Sequence, residues 1–145
     1  KGGDAIPAAN KFVGAGGGGA GAAAPDKSAG GGTFTYGIGG DGITSSITGV
    51  STDYAGGGSG GYTTPDIGAS LGGTNGRANG AANSGAGGGG SCNDPTCPGG
   101  TGGSGVVIIR YADTFAAATT TGSPTITVSG GYRIYQFTGT GTITF

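Results

Sequence analysis

Thr125-Ile126-Thr127-Val128-Ser129-Gly130-Gly131-Tyr132-Arg133-Ile134-Tyr135-Gln136-Phe137 reads as a β-hairpin. Apolar and polar residues alternate from Thr125 to Ser129, which places Ile126 and Val128 on one face. Gly130-Gly131 fits a two-residue type I′ turn, because both central positions of that turn need positive φ. The return strand runs from Tyr132 to Thr138. Its two faces carry Tyr132, Ile134 and Gln136, and Arg133, Tyr135 and Phe137. Gly139-Thr140-Gly141 turns the chain again. Thr142 to Phe145 is a last short strand, with Ile143 and Phe145 together. Upstream, Val106-Val107-Ile108-Ile109 is a short β-branched run preceded by Gly, the pattern of a strand covered on both faces. Residues 112 to 124 are a loop ending at Pro124. Together, residues 106–145 are predicted to form a β-meander.

The rest of the chain is different. Of 145 residues 41 are Gly, and only five of these fall after residue 105. Residues 106–145 hold 14 of the 27 Val, Ile, Leu, Phe and Tyr. The apolar residues available for a core are therefore concentrated at the C-terminal end. Glycine at this density disfavours any long helix. The absence of a Gly-X-Y period excludes collagen, and no apolar run is long enough for a membrane-spanning helix. Short islands interrupt the glycine: Phe12-Val13, residues 33–36, Ile43 to Tyr54, and Tyr62 to Leu71. The glycine segments between them are either flexible loops or extended polyproline-II-like strands packed side by side. The expected fold class is all-β, a short-stranded sandwich or meander with long glycine-rich extended segments and no substantial helix. One domain is expected over 1–145: an N-terminal arm (1–13), a glycine-rich part (14–105) and the C-terminal meander (106–145).

Charge narrows the function. Six Lys or Arg stand against seven Asp, with no Glu, His, Met or Trp. The basic residues are scattered singly, so no nucleic-acid partner is expected. Without His or Glu most acid–base and metal-binding constellations cannot be built. Neither an enzyme nor a cofactor is expected.

Individual motifs are weak. Cys92 and Cys97 enclose Asn-Asp-Pro-Thr; they lack the partners for a zinc site and the spacing of a redox pair. A local disulfide is expected, contributing about 2 kcal/mol and implying an oxidising compartment. Gly37-Ile38-Gly39-Gly40-Asp41-Gly42 fits a dinucleotide fingerprint, but a chain this rich in Gly matches it by chance. Asp41, Asp53, Asp66 and Asp94 beside Gly or Pro suit Asx-turns better than calcium ligation. Tyr36, Tyr54 and Tyr62 flank glycine runs, where packing is the expected role and sugar stacking the alternative. Thr119-Thr120-Thr121 is a candidate O-glycan acceptor.

Residues 45–49 and 54–58, then Gly102-Gly103-Ser104-Gly105-Val106-Val107-Ile108-Ile109-Arg110-Tyr111, resemble the glycine-rich domain proteins of bacteria and phages. Gly131 through Phe145 is similar to another recurring segment of that group. The resemblance implies a structural or adhesive role of the tail-fibre or surface-protein kind, and it names no catalytic residue.

The leading expectation is a structural subunit of an extracellular, pilus-like filament, built head-to-tail from copies of itself. The alternative is a receptor-binding domain of a phage tail fibre on the virion surface, with surface glycans as partner. The opening Lys1-Gly2-Gly3-Asp4 is expected to mark a mature or trimmed, exported product. The donated segment is placed at residues 5–13, apolar at Ile6, Phe12 and Val13. The acceptor is placed around Tyr132, Ile134, Tyr135, Phe137, Ile143 and Phe145.

Overall fold

The computed structural model describes residues 1–2, 6–8, 11–25, 37–61, 78–91 and 98–145. These contain nine short strands and no helix, so the protein is all-β: β1 (Ile6–Ala8), β2 (Lys11–Val13), β3 (Ile43–Ser45), β4 (Thr52–Tyr54), β5 (Val107–Ala112), β6 (Thr119–Thr120), β7 (Thr125–Ser129), β8 (Tyr132–Phe137) and β9 (Ile143–Thr144). The chain divides into two compact units. One comprises Lys1–Ile43 with Asp53–Ser104, the other Thr44–Thr52 with Gly105–Phe145. β3 and β4 pair as a two-stranded sheet.

The first unit has a core made of backbone. Between the two sequence-level alternatives for the glycine runs, the structure adopts packed extended segments. The segment 55–61 lies at the centre, and Gly56 to Gly60 are all buried. The N–H groups of Gly57 and Gly60 donate to the carbonyls of Gly40 and Gly37, at 2.8 and 2.6 Å. The carbonyls of Ala55, Gly58 and Gly61 accept from Ala20, Gly17 and Gly14. Those of Gly56 and Ser59 accept from Gly87 and Gly90. Bonds to any one neighbour thus recur every third residue. That is the period of a threefold extended helix, whereas a β-strand repeats every second residue. Three successive residues address three neighbouring segments, so backbone polar groups are satisfied without a sheet. The same spacing continues outward, where Gly100 and Gly103 donate to Gly89 and Ala86.

Side chains are excluded from this packing by contact distance. A methyl group at Gly57 would overlap the carbonyl of Gly17, and one at Gly60 that of Gly14. Among the described residues Ser59 alone places a polar side chain inside; the residue is 3% exposed and its hydroxyl makes no hydrogen bond.

The second unit has a conventional core. β5, β8 and β7 form an antiparallel sheet in that order. β7 and β8 are joined by Gly130 and Gly131, at φ 58° and 81°, the type I′ turn read from the sequence. The buried side chains are Ile134, Tyr135 and Phe137, all on β8. The strand order is not that of a simple sequential meander. β8 already has neighbours on both sides, so the last strand, β9, pairs with β6, Thr119 opposite Thr144. Thr121 and Thr142 close that pair through their hydroxyls, 2.8 Å apart.

Val106 to Ile109 were expected to lie in a strand covered on both faces. β5 is instead an edge strand. Neither of its faces is fully covered: Val107 is 59% exposed, and Ile108 and Ile109, which point to opposite faces, are each half-buried.

Candidate assembly surfaces

The second unit also contains a polar cluster that sequence reading missed. The register sets Ile109 opposite Tyr135 and Tyr111 opposite Arg133. Residues two apart share a face, so Tyr111 reaches Tyr135 diagonally. The rings stack with centroids 5.8 Å apart, and the hydroxyls are 3.0 Å apart. The Ala118 N–H donates to both oxygens at 3.0 Å, while the Tyr111 hydroxyl also donates to the Ala116 carbonyl at 3.1 Å. Phe145 packs edge-on against Tyr111 at 5.4 Å. A correct β5–β8 register was the signal needed, and the sequence alone did not supply it.

Burial pushes the Tyr135 phenol above its ordinary value, and the hydrogen bond with Tyr111 adds to the rise. A raised folded-state value means that the unfolded chain ionises first. Stability from this group is therefore intact below about pH 10 and falls as pH rises above it. Between pH 8 and about pH 11 the wild type should lose more of its guanidinium midpoint than Tyr135→Phe. Equal losses would remove Tyr135 from the alkaline transition.

The sequence-predicted acceptor residues separate. Ile134, Tyr135 and Phe137 are buried, Tyr132 is 39% and Phe145 80% exposed, and Ile143 is half-buried. Tyr132 carries the Arg110 guanidinium 3.6 Å above its ring, and Arg110 also donates to the Ser46 carbonyl at 3.3 Å. Since β8 is paired on both sides, it offers no free edge. An incoming strand reaches this sheet only at β5 or β7.

Which backbone groups are free follows from the registers. In a two-residue hairpin the residues flanking the turn form a hydrogen-bonded pair, and bonded and non-bonded pairs then alternate. Ser129, Thr127 and Thr125 are therefore bonded to Tyr132, Ile134 and Gln136. The N–H and C=O groups of Ile126 and Val128 point away from the sheet. On the far side Val107, Ile109 and Tyr111 face β8, so Ile108, Arg110 and Ala112 point outward. All five residues of β7 are exposed, with Ile126 at 49% and Val128 at 54%.

The predicted donor residues Ile6, Phe12 and Val13 lie in a hairpin of their own, with Ile6 opposite Val13 and Pro7 opposite Phe12. By the same alternation Pro7 points its missing N–H outward, which blunts the β1 edge.

The remaining candidates resolve simply. Gly37, Gly39, Gly40 and Gly42 of the fingerprint-like stretch are buried in the glycine packing. The Asp41 carbonyl accepts from Gly21 and Ala22. Tyr54 is half-buried in β4, and Thr119 and Thr121 are exposed. Cys92, Cys97, Asp66, Asp94, Tyr36 and Tyr62 lie outside the described residues. Among the described residues no group of three or more His, Cys, Asp or Glu is placed to hold a metal ion. No helix there is long and apolar enough to cross a membrane.

Comparison with known proteins agrees with the glycine-rich character of the chain. No curated protein and no solved structure matches the chain. A family model, described as a glycine-rich domain, matches residues 1–112, from the chain start through the last residue of β5. This chain belongs to the glycine-rich domain family.

Proposed function

We propose that the protein is a structural subunit of an extracellular, pilus-like filament that assembles head-to-tail by strand addition. The observation that carries this reading is the sheet of the second unit, which presents two edge strands with apolar side chains in solvent. Val107 on β5 and Ile126 and Val128 on β7 are each about half exposed or more. Unpaired edges of this kind recruit strands from other chains. The first unit supports the same reading in a different way. Among the described residues its interior is mostly backbone, which suits a rigid spacer.

In this reading the segment 5–13 of one copy joins an open sheet edge of the next. A head-to-tail contact propagates unless its rotation closes a ring. Deleting residues 1–13 should abolish fibres in negative-stain images and leave soluble species, which a synthetic peptide of that segment caps. Fibres of normal appearance from the truncated protein would rule out N-terminal donation. Discrete particles or short rods from the intact protein would favour a receptor-binding domain of a phage tail fibre.

A further inference from the structure

We infer that the outer edge of β7 pairs antiparallel with β7 of a second copy, centred on Thr127. The contact goes beyond the filament reading and stands whether or not the copies polymerise; within a filament it leaves the β5 edge for the donated segment.

Hydrogen-bond parity sets the register of this contact. The outward groups of β7 belong to Ile126 and Val128. In an antiparallel self-pair about Thr127, Ile126 of one copy faces Val128 of the other. Both residues carry outward N–H and C=O groups, so the two such pairs make four hydrogen bonds. No other residue has to change its present partner. The side chains agree with this register. Ile126 and Val128 lie on the sheet face that bears Tyr135, as the pairing of Ile126 with Tyr135 requires. Joining two copies sets two Ile–Val cross-strand pairs side by side on that face, the β-branched pairing that stabilises sheets. On the other face Thr127 meets Thr127, and Thr125 meets Ser129.

Charge permits this contact. Residues 125–129 contain no Lys, Arg, Asp or Glu, so the two-fold axis brings no like charges together. Edge strands that avoid self-pairing carry charges, Pro or bulges, and β7 has none of these within its five residues. Each β7 would become an inner strand of a six-stranded sheet ordered β5-β8-β7-β7-β8-β5. β5 is the less suitable self-pairing edge, because Arg110 lies at its middle and would face its own charge across a two-fold axis. The N-terminal hairpin is a poorer partner for β7. Pro7 blunts one edge, and Phe12 is the only outward residue of the three-residue strand β2.

Two five-residue strands bury less than the roughly 1,200 Å² of a stable interface, so the dimer is weak in isolation and needs a covalent trap. A pair without mutual hydrogen bonds has Cα atoms about 4.5 Å apart, inside the disulfide range of roughly 4.4–6.8 Å. Thr127→Cys should therefore form a linked dimer under mild oxidation. Val128→Cys should form about tenfold less, because two Val128 positions lie diagonally, beyond about 7 Å. Wild type under the same conditions sets the background from Cys92 and Cys97, and peptide mass mapping identifies the linkage. In a second measurement, Thr125→Cys mixed with Ser129→Cys should give the mixed dimer in excess of either homodimer. Equal cross-linking of Thr127→Cys and Val128→Cys, or none in either, overturns the pairing. So does a mixed dimer no more abundant than the homodimers. Fibre formation by wild type is read separately, so loss of this contact and loss of the filament reading are distinguishable.

Discussion

Gly58→Ala is expected to abolish folding of the glycine-rich unit. A methyl group at this position would overlap the carbonyl of Gly88 and approach the Gly87 carbonyl carbon to 3.2 Å. Those are backbone atoms, so no rotamer change relieves the clash. Nor can the segment 55–61 move aside, because hydrogen bonds hold it to three neighbours at once. Separating two segments far enough for a methyl group breaks several buried backbone bonds together, each worth about 1–3 kcal/mol when left unpaired. The sum exceeds the ~5 kcal/mol that marks an exceptional substitution and rivals the whole stability of an ordinary domain. Gly139→Ala is the control. Nothing lies within 4 Å of its added carbon, and its φ is not positive. It should change stability by less than about 1 kcal/mol. Gly18→Asp should fall between the two. Gly18 is exposed, so the rest of an added side chain reaches water, but the atoms nearest its added carbon are the backbone of Lys1. Limited proteolysis with mass mapping of the cut sites reads all three. A Gly58→Ala protein as protected as wild type across residues 37–61 would remove the packed-segment account.

The strands of the second unit were legible because β-branched alternation and a Gly-Gly turn are local signals. Thr125 to Phe137 announces its own hairpin. Strand neighbours were less legible. Nothing between Val106 and Tyr111 says whether one strand or two lies beside it, or how far each face of β5 is covered. β9 was misplaced for a related reason: Gly139-Thr140-Gly141 marks a turn but does not say where the chain goes afterwards. The packing of the first unit was hardest to read. Glycine carries no side chain and hence no apolar period. The bonds that order Gly57 and Gly60 reach Gly40 and Gly37, with the island at Ile43 to Tyr54 in between. A loop and a packed segment share the same letters there. The registers place the open edges of the three-stranded sheet at β5 and β7, which no local sequence signal marks.

Tyr135→Ala carries the second large effect, an expected loss of about 3–5 kcal/mol, the usual cost of removing a buried aromatic ring. Tyr135 is 1% exposed and sits on the central strand of its sheet. Truncation removes the stack on Tyr111 and empties the space between Ile126 and Ile109, its partners in register. It also removes one of the two oxygens that receive the Ala118 N–H. Tyr135→Phe keeps the ring and loses only the hydroxyl, so about 1–2 kcal/mol is expected for it. The comparison that decides where the core lies is Ile108. Sequence reading placed Ile108 inside a strand covered on both faces, where Ile108→Asp would bury an unpaired charge and prevent folding. On the half-buried edge strand β5 the same carboxylate reaches water, and Arg110 lies two residues away on the same face. Ile108→Asp should therefore fold, with a smaller loss than Tyr135→Ala. Guanidinium midpoints followed by circular dichroism rank the three variants. An Ile108→Asp protein that fails to fold while Tyr135→Ala remains stable would move the core from β8 back to β5.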